Sequence, residues 1–402
     1  MRSVDEHLAI VLDRARPLEP LDVSLLDARG CLLADPVTAP WPLPPFDVAA
    51  CPGYAVASSD VAGASAAVPV ALSVIDDVPA GYRASHAVGP GESIRIGSGA
   101  PLPEGTDAIV PLELTDRGMP VVRVHTPVPV DFNVRRAGDD LPIGQVVVEA
   151  GALLGSREVA LLAAVGRSRV RVHPKPRVVV ITTGTELVEP GAPMTPGLIT
   201  DSTGYLLTAA AEDAGALGYR AGPVADERRA LTDALEDQLV RADILVTTGG
   251  VTASTFDILQ VVLAELGTVD FTRVAMSPGA PQGYGYLGPD EVPIFTLPGA
   301  PASAFVAFEL FVRPMIRCLL GLPRLEREPV SARLSVPIDG EPGVRRYLPA
   351  RLDAGVDGLQ VTPVPERGLQ GLRLADSLLV VPESVGALAP GALCSVLRLG
   401  EG

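Results

Sequence analysis

From Pro176 onward, wholly apolar runs of strand length alternate with amphipathic runs of helix length, and this alternation constrains the fold more than any other feature of the chain. The run PRVVVITTG has no polar face, so it suits a strand buried on both sides. STGYLLTAAAEDAG then reads as a helix, YRAGPV as a strand, DERRALTDALEDQLVRA as a helix, ILVTTGG as a strand and FDILQVVLAELG as a helix. VDFTRVAM and VPIFTLPG are further strands, the second running into a helix that starts near Pro301. Strands of this kind separated by helices predict a doubly wound, mostly parallel sheet covered on both faces.

The flanking sequence has a different texture. Residues from about 20 to 175 are short Val/Ile/Leu runs broken by Pro and Gly, which predicts mostly β structure. SREVALLAAVG (Ser156 to Gly166) is the exception, a short helix that Ser156 can cap and Gly166 can end. At the N-terminus, Ser3 and Glu6 form a capping box ahead of apolar residues at helical spacing, and Pro17 stops the run; this reads as an amphipathic helix and not as a signal peptide. The apolar segment PASAFVAFELFVRPMIRCLLG is interrupted by Glu309, Arg313, Pro314 and Arg317, so it reads as a buried helix that does not span a bilayer. Beyond Arg324, SARLSVPI, RRYLPARL, GLQVTPV and SLLVVPE suggest a small terminal β-domain.

At 402 residues the chain is long enough for two to four domains. A formal charge of -16 argues against a nucleic-acid or anionic-membrane binder, because both need a basic surface to replace counterions. Cys31, Cys51, Cys318 and Cys394 lie far apart and make no zinc or redox spacing, which suits a reducing compartment; His7, His86, His125 and His173 are equally scattered.

Three loops at carboxyl ends of the strands share one design: Thr182-Thr183-Gly184-Thr185-Glu186, Thr247-Thr248-Gly249-Gly250-Val251-Thr252 and Leu297-Pro298-Gly299-Ala300-Pro301-Ala302-Ser303. Ligands of open α/β sheets sit at this edge, where glycine admits the backbone and helix starts present N–H groups. One such turn is an ordinary strand-to-helix connection; three at one edge predict an anion-binding crevice. Glu186, Asp201, Asp226 and Asp257 lie beside the loops, and carboxylates next to a phosphate call for a divalent cation between them. Asp226 and Asp257 also stand where helix caps would stand, and the two roles are compatible.

The chain resembles the molybdopterin molybdenumtransferase family, the molybdenum insertases related to the C-terminal domain of gephyrin. The resemblance is carried in order by PLPPFD (Pro42 to Asp47), GYAV (Gly53 to Val56), RIGSGAPLPEGTDAIVPLE (Arg95 to Glu113) and VRRAGDD (Val134 to Asp140). It continues through TTGTELVEPG (Thr182 to Gly191), TDST (Thr200 to Thr203), TTGGVT (Thr247 to Thr252), VAMSPGAP (Val274 to Pro281) and LPGAPAS (Leu297 to Ser303). It implies an elongated linker and dimerisation domain (1–40 and 135–175), an inserted β-domain (41–134), a molybdopterin-binding α/β domain (176–325) and a C-terminal β-barrel (326–402). It further implies a cytoplasmic homodimer whose site lies between one subunit's α/β domain and β-elements of the other. The reaction implied takes adenylated molybdopterin, molybdate and Mg2+, inserts molybdenum at the dithiolene and releases AMP. Other cofactor-synthesis proteins or apo-molybdoenzymes are the implied partners, with no nucleic acid and no membrane.

Carried over by position, the resemblance makes Glu186, Asp226 and Asp257 the magnesium and catalytic carboxylates, joined by Ser98 and Asp140. Thr183, Gly184, Thr248, Gly249, Gly250, Pro298, Gly299 and Ser303 line the pterin and phosphate site. Several positions depart from the family pattern. The acid expected before Gly53 is Pro52, and the two lysines of K-P-G-K-P are Ser277 and Ala280. The Asn of L-P-G-N-P is Ala300, the S-V-G-D segment is Thr252 to Thr255, and a basic residue of the terminal domain aligns with Pro349. Each charge-assisted hydrogen bond that these departures remove is worth on the order of 1.5–3 kcal/mol. Arg345, Arg346 and Arg351 are the basic residues available as substitutes. A working insertase is the leading expectation; a non-catalytic paralogue that binds molybdopterin as a carrier and a dimeric protein-binding scaffold are the alternatives. Cys51, beside Pro52, is a soft donor in the altered segment, or a structural cysteine.

Overall fold

Local sequence sets the first element as expected. In the computed structural model, which describes residues 1–249, 258–355, 358–365 and 367–400, helix α1 (Val4–Leu12) opens with both halves of the capping box: Glu6 N–H donates to Ser3 Oγ (3.2 Å) and Ser3 N–H to Glu6 Oε2 (2.8 Å). Its Val4, His7 and Val11 are buried. The chain forms two compact units, Met1–Leu21 with Gly30–Leu32 and Val172–Gly402, and Asp22–Arg29 with Leu33–Arg171.

The second of these units is built on a mixed five-stranded sheet of β1 (Gly53–Val56), β2 (Val70–Val78), β3 (Glu92–Ile96), β4 (Ala108–Pro111) and β5 (Val121–Val124), in the order β4-β1-β3-β2-β5. Tyr54 and Val56 enter one core with Leu72, Val110 and Val122, while Ala55 enters another with Ile94, Ile96 and Ile109. Both faces of the sheet are therefore covered, which explains strands too apolar for a simple in-out alternation. Helix α2 (Ser156–Ala164) starts one residue earlier than expected: Gly155 is its cap position and Ser156 its first helical residue. The orphan N–H of Gly155 donates to Glu158 Oε2 at 2.9 Å, so this carboxylate caps the helix in place of the serine.

In the other unit a six-stranded sheet contains β6 (Arg177–Thr183), β7 (Leu217–Val224), β8 (Ile244–Thr248), β9 (Gly267–Arg273), β11 (Pro281–Leu287) and β12 (Val292–Leu297); the two-residue strand β10 (Met276–Ser277) lies outside it. The order is β7-β6-β8-β12-β11-β9, with β7, β6, β8 and β12 mutually parallel and β11 antiparallel to both of its neighbours, β12 and β9. Val178 and Val180 of β6 pack on one side with Leu207 of α3 (Thr203–Asp213), and with Val4 and Val11 of α1. Val179 and Ile181 pack on the other with Leu231 and Leu235 of α4 (Arg228–Leu239) and Leu259 and Val262 of α5 (Ile258–Leu266). The continuous apolar run of β6 is thus divided between two cores by the two-residue period of a strand.

Strand β11 is absent from the strands read in the sequence, and PQGYGYL lacks the apolar run of its neighbours. Its glycines are required by crowding: a Cβ at Gly285 would lie 2.0 Å from Thr268 O, and one at Gly283 would lie 2.8 Å from the Phe271 ring. The late apolar segment forms α6 (Pro301–Ala307) and α7 (Arg313–Leu319), joined by a π-helical turn at Phe308–Val312. Among the described residues no helix is long and apolar enough to cross a membrane.

The terminal strands β13 (Pro329–Leu334), β14 (Arg345–Gly355), β15 (Gly358–Pro363), β16 (Ser377–Val381) and β17 (Leu393–Arg398) run in the order β14-β15-β13-β17-β16, and β14 also pairs with β16. That last pairing closes a five-stranded barrel and removes its edges. The eleven residues of β14 make closure possible, since Ala350 onward pairs with β15 while Arg346 to Ala350 pairs with β16. The chain is thus a multidomain α/β and β protein with a doubly wound domain, as its pattern predicts, and a C-terminal barrel, as the family resemblance implies.

Burial of His7 gives the fold a pH dependence. The ring is 1% exposed, packs edge-on to Phe311 at 4.7 Å and accepts at Nδ1 from Arg2, 3.2 Å away. Burial, followed by the Arg2 charge, pushes its pKa down to about 4. The folded state therefore holds His7 neutral while the unfolded chain takes up a proton near pH 6.5. Its contribution is fully present above about pH 6.5 and is lost as pH falls toward about 4. Unfolding free energy measured in urea from about pH 7 to about pH 4 is expected to fall by about 2–3 kcal/mol more in the native chain than in His7→Phe; equal slopes would contradict this account of His7.

Candidate functional site

The parallel register sets the geometry of the site. Thr182 of β6 lies opposite Thr248 of β8, which lies opposite Leu297 of β12, so the three glycine loops leave the sheet side by side at one level. Cross-links then tie them together. Buried Thr183 donates through Oγ1 to Thr248 O (3.0 Å), and Gly249 N–H donates to Leu297 O (3.1 Å). Thr203, at the start of α3, donates through Oγ1 to Gly299 O (3.0 Å). Thr183, Gly184, Thr248, Gly249, Pro298, Gly299 and Ser303 therefore share one edge, while Gly250 and Asp257 lie outside the described residues.

The glycines do different jobs. Gly249 has φ +93°, and a Cβ there would lie 2.9 Å from both the carbonyl and the hydroxyl oxygen of Thr183. At Gly299 a Cβ would meet nothing closer than 3.7 Å. The N–H of Gly184 is spent on Val224 O (3.0 Å), as that of Gly249 is on Leu297 O. These glycines therefore provide closeness of approach and not hydrogen-bond donors. Donors come instead from the start of α6, whose N-terminal position, Ala300, supplies no side-chain cap.

The three carboxylates among the described residues sort into two kinds. Asp201 is 1% exposed and fully engaged: Thr182 Oγ1 (2.8 Å), Gly204 N–H (2.9 Å) and Arg220 (3.2 Å) all donate to it. Arg220 goes on to grip Glu189 with one amino group (2.5 and 2.7 Å) and lies 4.4 Å over the Tyr205 ring, and Glu189 is held below the usual carboxylate range by that arginine. Asp201 is a structural acid that starts α3, and the arginine and tyrosine around it carry no signal in the sequence, although TDST does. Glu186 and Asp226 are exposed. Asp226 does not cap α4, where Glu227 holds the cap position; its carboxylate accepts from Thr185 N–H (3.4 Å) and its own N–H donates to Thr185 Oγ1 (3.3 Å). Glu186 folds back over Gly184, where a Cβ would meet its carboxylate at 2.7 Å. Among the described residues, no three His, Cys, Asp or Glu are grouped to hold a metal.

Ser98 and Asp140 belong to the other unit. Ser98 donates to Ala50 O (3.2 Å), next to the altered Cys51-Pro52 turn, and Asp140 pairs with Arg135. Asp47 of PLPPFD accepts from Ala137 N–H (2.8 Å) and pairs with Arg136, so two motifs distant in sequence are stitched together. Pro52 is exposed and Cys51 half-buried, and burial, then Glu113, raises the thiol above its ordinary pKa. A thiol kept protonated is a poor metal ligand, which favours the structural reading of Cys51.

The three substitute arginines separate cleanly. Arg345 is neutralised twice, by Asp5 (2.8 and 2.9 Å) and Glu383 (2.9 and 3.0 Å), and it holds the Glu383 carboxyl at about 2. Arg351 is exposed, five residues and roughly 17 Å along β14 from Arg346 and on the opposite face. Arg346 is the register partner of Ser277.

Family comparisons cover the chain in three successive blocks. Residues 2–166 match the MoeA N-terminal region (domain I and II), residues 179–318 a probable molybdopterin binding domain, and residues 331–399 the MoeA C-terminal region (domain IV). Molybdopterin molybdenumtransferase 1 of Mycobacterium tuberculosis is 40% identical over 424 residues, covering 100% of both chains. The chain belongs to the molybdopterin molybdenumtransferase family. Molybdopterin molybdenumtransferase of Bacillus subtilis is 32% identical over 99% of this chain and 94% of its own. A solved molybdopterin biosynthesis MoeA protein from Pyrococcus horikosii shares 31% identity and superposes with a TM-score of 0.77, covering 100% of this chain and 99% of the other. The fold and the order of motifs thus agree with the family from end to end.

The contrast between the two glycines gives a direct test of the edge geometry. Gly249→Ala is expected to destabilise the chain by about 1–3 kcal/mol, and Gly299→Ala to stay within about 0.5 kcal/mol of the native value, both measured by denaturant unfolding. Equal effects would show that Gly249 does not make the close approach described.

Proposed function

We propose that this chain is a molybdopterin molybdenumtransferase that inserts molybdenum from molybdate into adenylated molybdopterin and releases AMP. The observation that carries the proposal is the locking of three glycine loops at one sheet edge, in a chain matched throughout by that family. Such an edge suits a phosphorylated pterin: Gly249 lets the loops close against each other, Gly299 admits the ligand close to backbone, and the first turn of α6 has no side-chain cap. In this proposal Thr183, Gly184, Thr248, Gly249, Gly250, Pro298, Gly299 and Ser303 line the pterin and phosphate site.

Glu186 and Asp226 are hard oxygen donors, exposed beside the first loop, and magnesium takes one or two carboxylates with phosphate oxygens. The donor set fits that ion, with Asp257 as its third proposed member. Bound there, magnesium would offset the repulsion between phosphate and carboxylates. The chain's own part is to orient: the Thr185–Asp226 pair of hydrogen bonds fixes the loop that carries Glu186. Ser98 and Asp140, a homodimer, a cytoplasmic location and the division of the chain at about residues 40, 134, 175 and 325 complete the proposal.

Purified protein given adenylated molybdopterin, magnesium and molybdate is expected to release AMP in a molybdate-dependent manner, and Glu186→Gln to slow that release by about 100-fold or more. Tight pterin binding with no AMP release would replace this reading with a carrier.

A further inference from the structure

Glu186 and Asp226 are exposed at this edge, where magnesium would serve the phosphate of the substrate, and a second anion bound beside it calls for a further cation, from the protein. Arg220 is not available, because Asp201 and Glu189 already hold it. Arg345 is likewise engaged by Asp5 and Glu383. Arg346 differs from both. Among the described residues it pairs with no carboxylate, and its one hydrogen bond runs from Nη1 to the backbone carbonyl of Asp339.

Its position follows from the ladder. Strand β10 pairs in parallel with β14, setting Met276 beside Arg345 and Ser277 beside Arg346. Register partners on neighbouring strands share a face of the sheet, so the Arg346 and Ser277 side chains lie on the same side. Parity along the strand agrees: Met276 and Tyr347 both enter the core of the α/β domain, leaving Ser277 and Arg346 on the other face. The turn after Ser277 reaches the third glycine loop, since a Cβ on Gly279 would lie 3.2 Å from Ser303 O. The barrel thus sets Arg346 beside the first residue of a turn that touches the crevice and has no charge of its own.

We propose that Arg346 is the oxyanion-binding residue of this site, supplying from β14 the positive charge that the Ser277-Pro278-Gly279-Ala280 turn lacks. A planar guanidinium can offer a tetrahedral oxyanion such as molybdate two parallel N–H donors, and the hydrogen bond to Asp339 O leaves that fork free to do so. The inference rests on the reading of the crevice as the place where molybdate meets the pterin.

The test uses the full chain and two separate readouts, calorimetric binding of molybdate and the KM for molybdate in AMP release. Arg346→Ala is expected to weaken molybdate binding and raise its KM by at least about tenfold, while affinity for adenylated molybdopterin stays within about twofold of the native value. Arg346→Lys is expected to recover part of the loss, and Ser277→Lys added to Arg346→Ala to recover more, because both return a cation to the same face. Arg351→Ala, on the opposite face, is expected to change neither readout. Thermal unfolding of every variant separates damage to the site from damage to the fold. If the native chain releases AMP and Arg346→Ala binds molybdate as well as it does, the inference fails and the insertase reading stands. If the native chain binds molybdate through Arg346 without releasing AMP, the inference stands and the insertase reading fails. A native chain that binds no molybdate overturns the inference.

Discussion

The hydrogen bond from buried Thr183 to the carbonyl of Thr248, with Gly249 pressed against the same threonine, is the interaction on which the site depends. It is possible only because β6, β8 and β12 run parallel and in register, so that three carboxyl ends finish at one level. Parallel register in turn requires both faces of the sheet to be buried, which the cores beneath α3 and α6 on one side and α4 and α5 on the other provide. Core packing and the crevice are therefore linked through β6: Val178 to Ile181 bury the strand, and Thr182 and Thr183 at its end fasten the loops.

Charge is handled locally in a chain that carries -16 overall. Asp201 is buried, neutralised by Arg220 and committed to starting α3, while Glu186 and Asp226 remain exposed and available for a cation. Arg345 is likewise committed, to Asp5 and Glu383. Breaking the Asp201–Arg220 pair, whose carboxylate is buried, costs several kcal/mol, which keeps these two groups in a structural role. The chemistry falls to the groups left unpaired.

How much of this is legible in sequence depends on whether the signal is local. The apolar run of β6, the Ser3–Glu6 capping box and the turns at Gly184, Gly249 and Gly299 carry their structure in a few adjacent residues. Strand β11 is hidden because its glycines answer to crowding from Thr268 and Phe271 on the neighbouring strand. Asp226 has the spacing of a helix cap, and its link to Thr185, 41 residues away, depends on the crossover that brings β7 parallel beside β6. The split among Arg345, Arg346 and Arg351 is beyond reach for the same reason, since β14 pairs with β10 through a register that no local pattern encodes.

The central claim is that phosphate of a pterin nucleotide lies against the three locked loops. A crystal structure of the full chain with adenylated molybdopterin and magnesium tests it most directly. The account predicts phosphate oxygens against the backbone at Gly299 and the first turn of α6, within reach of a cation held by Glu186 and Asp226. Nucleotide bound away from that edge, with the Gly249 and Gly299 loops untouched, would contradict it.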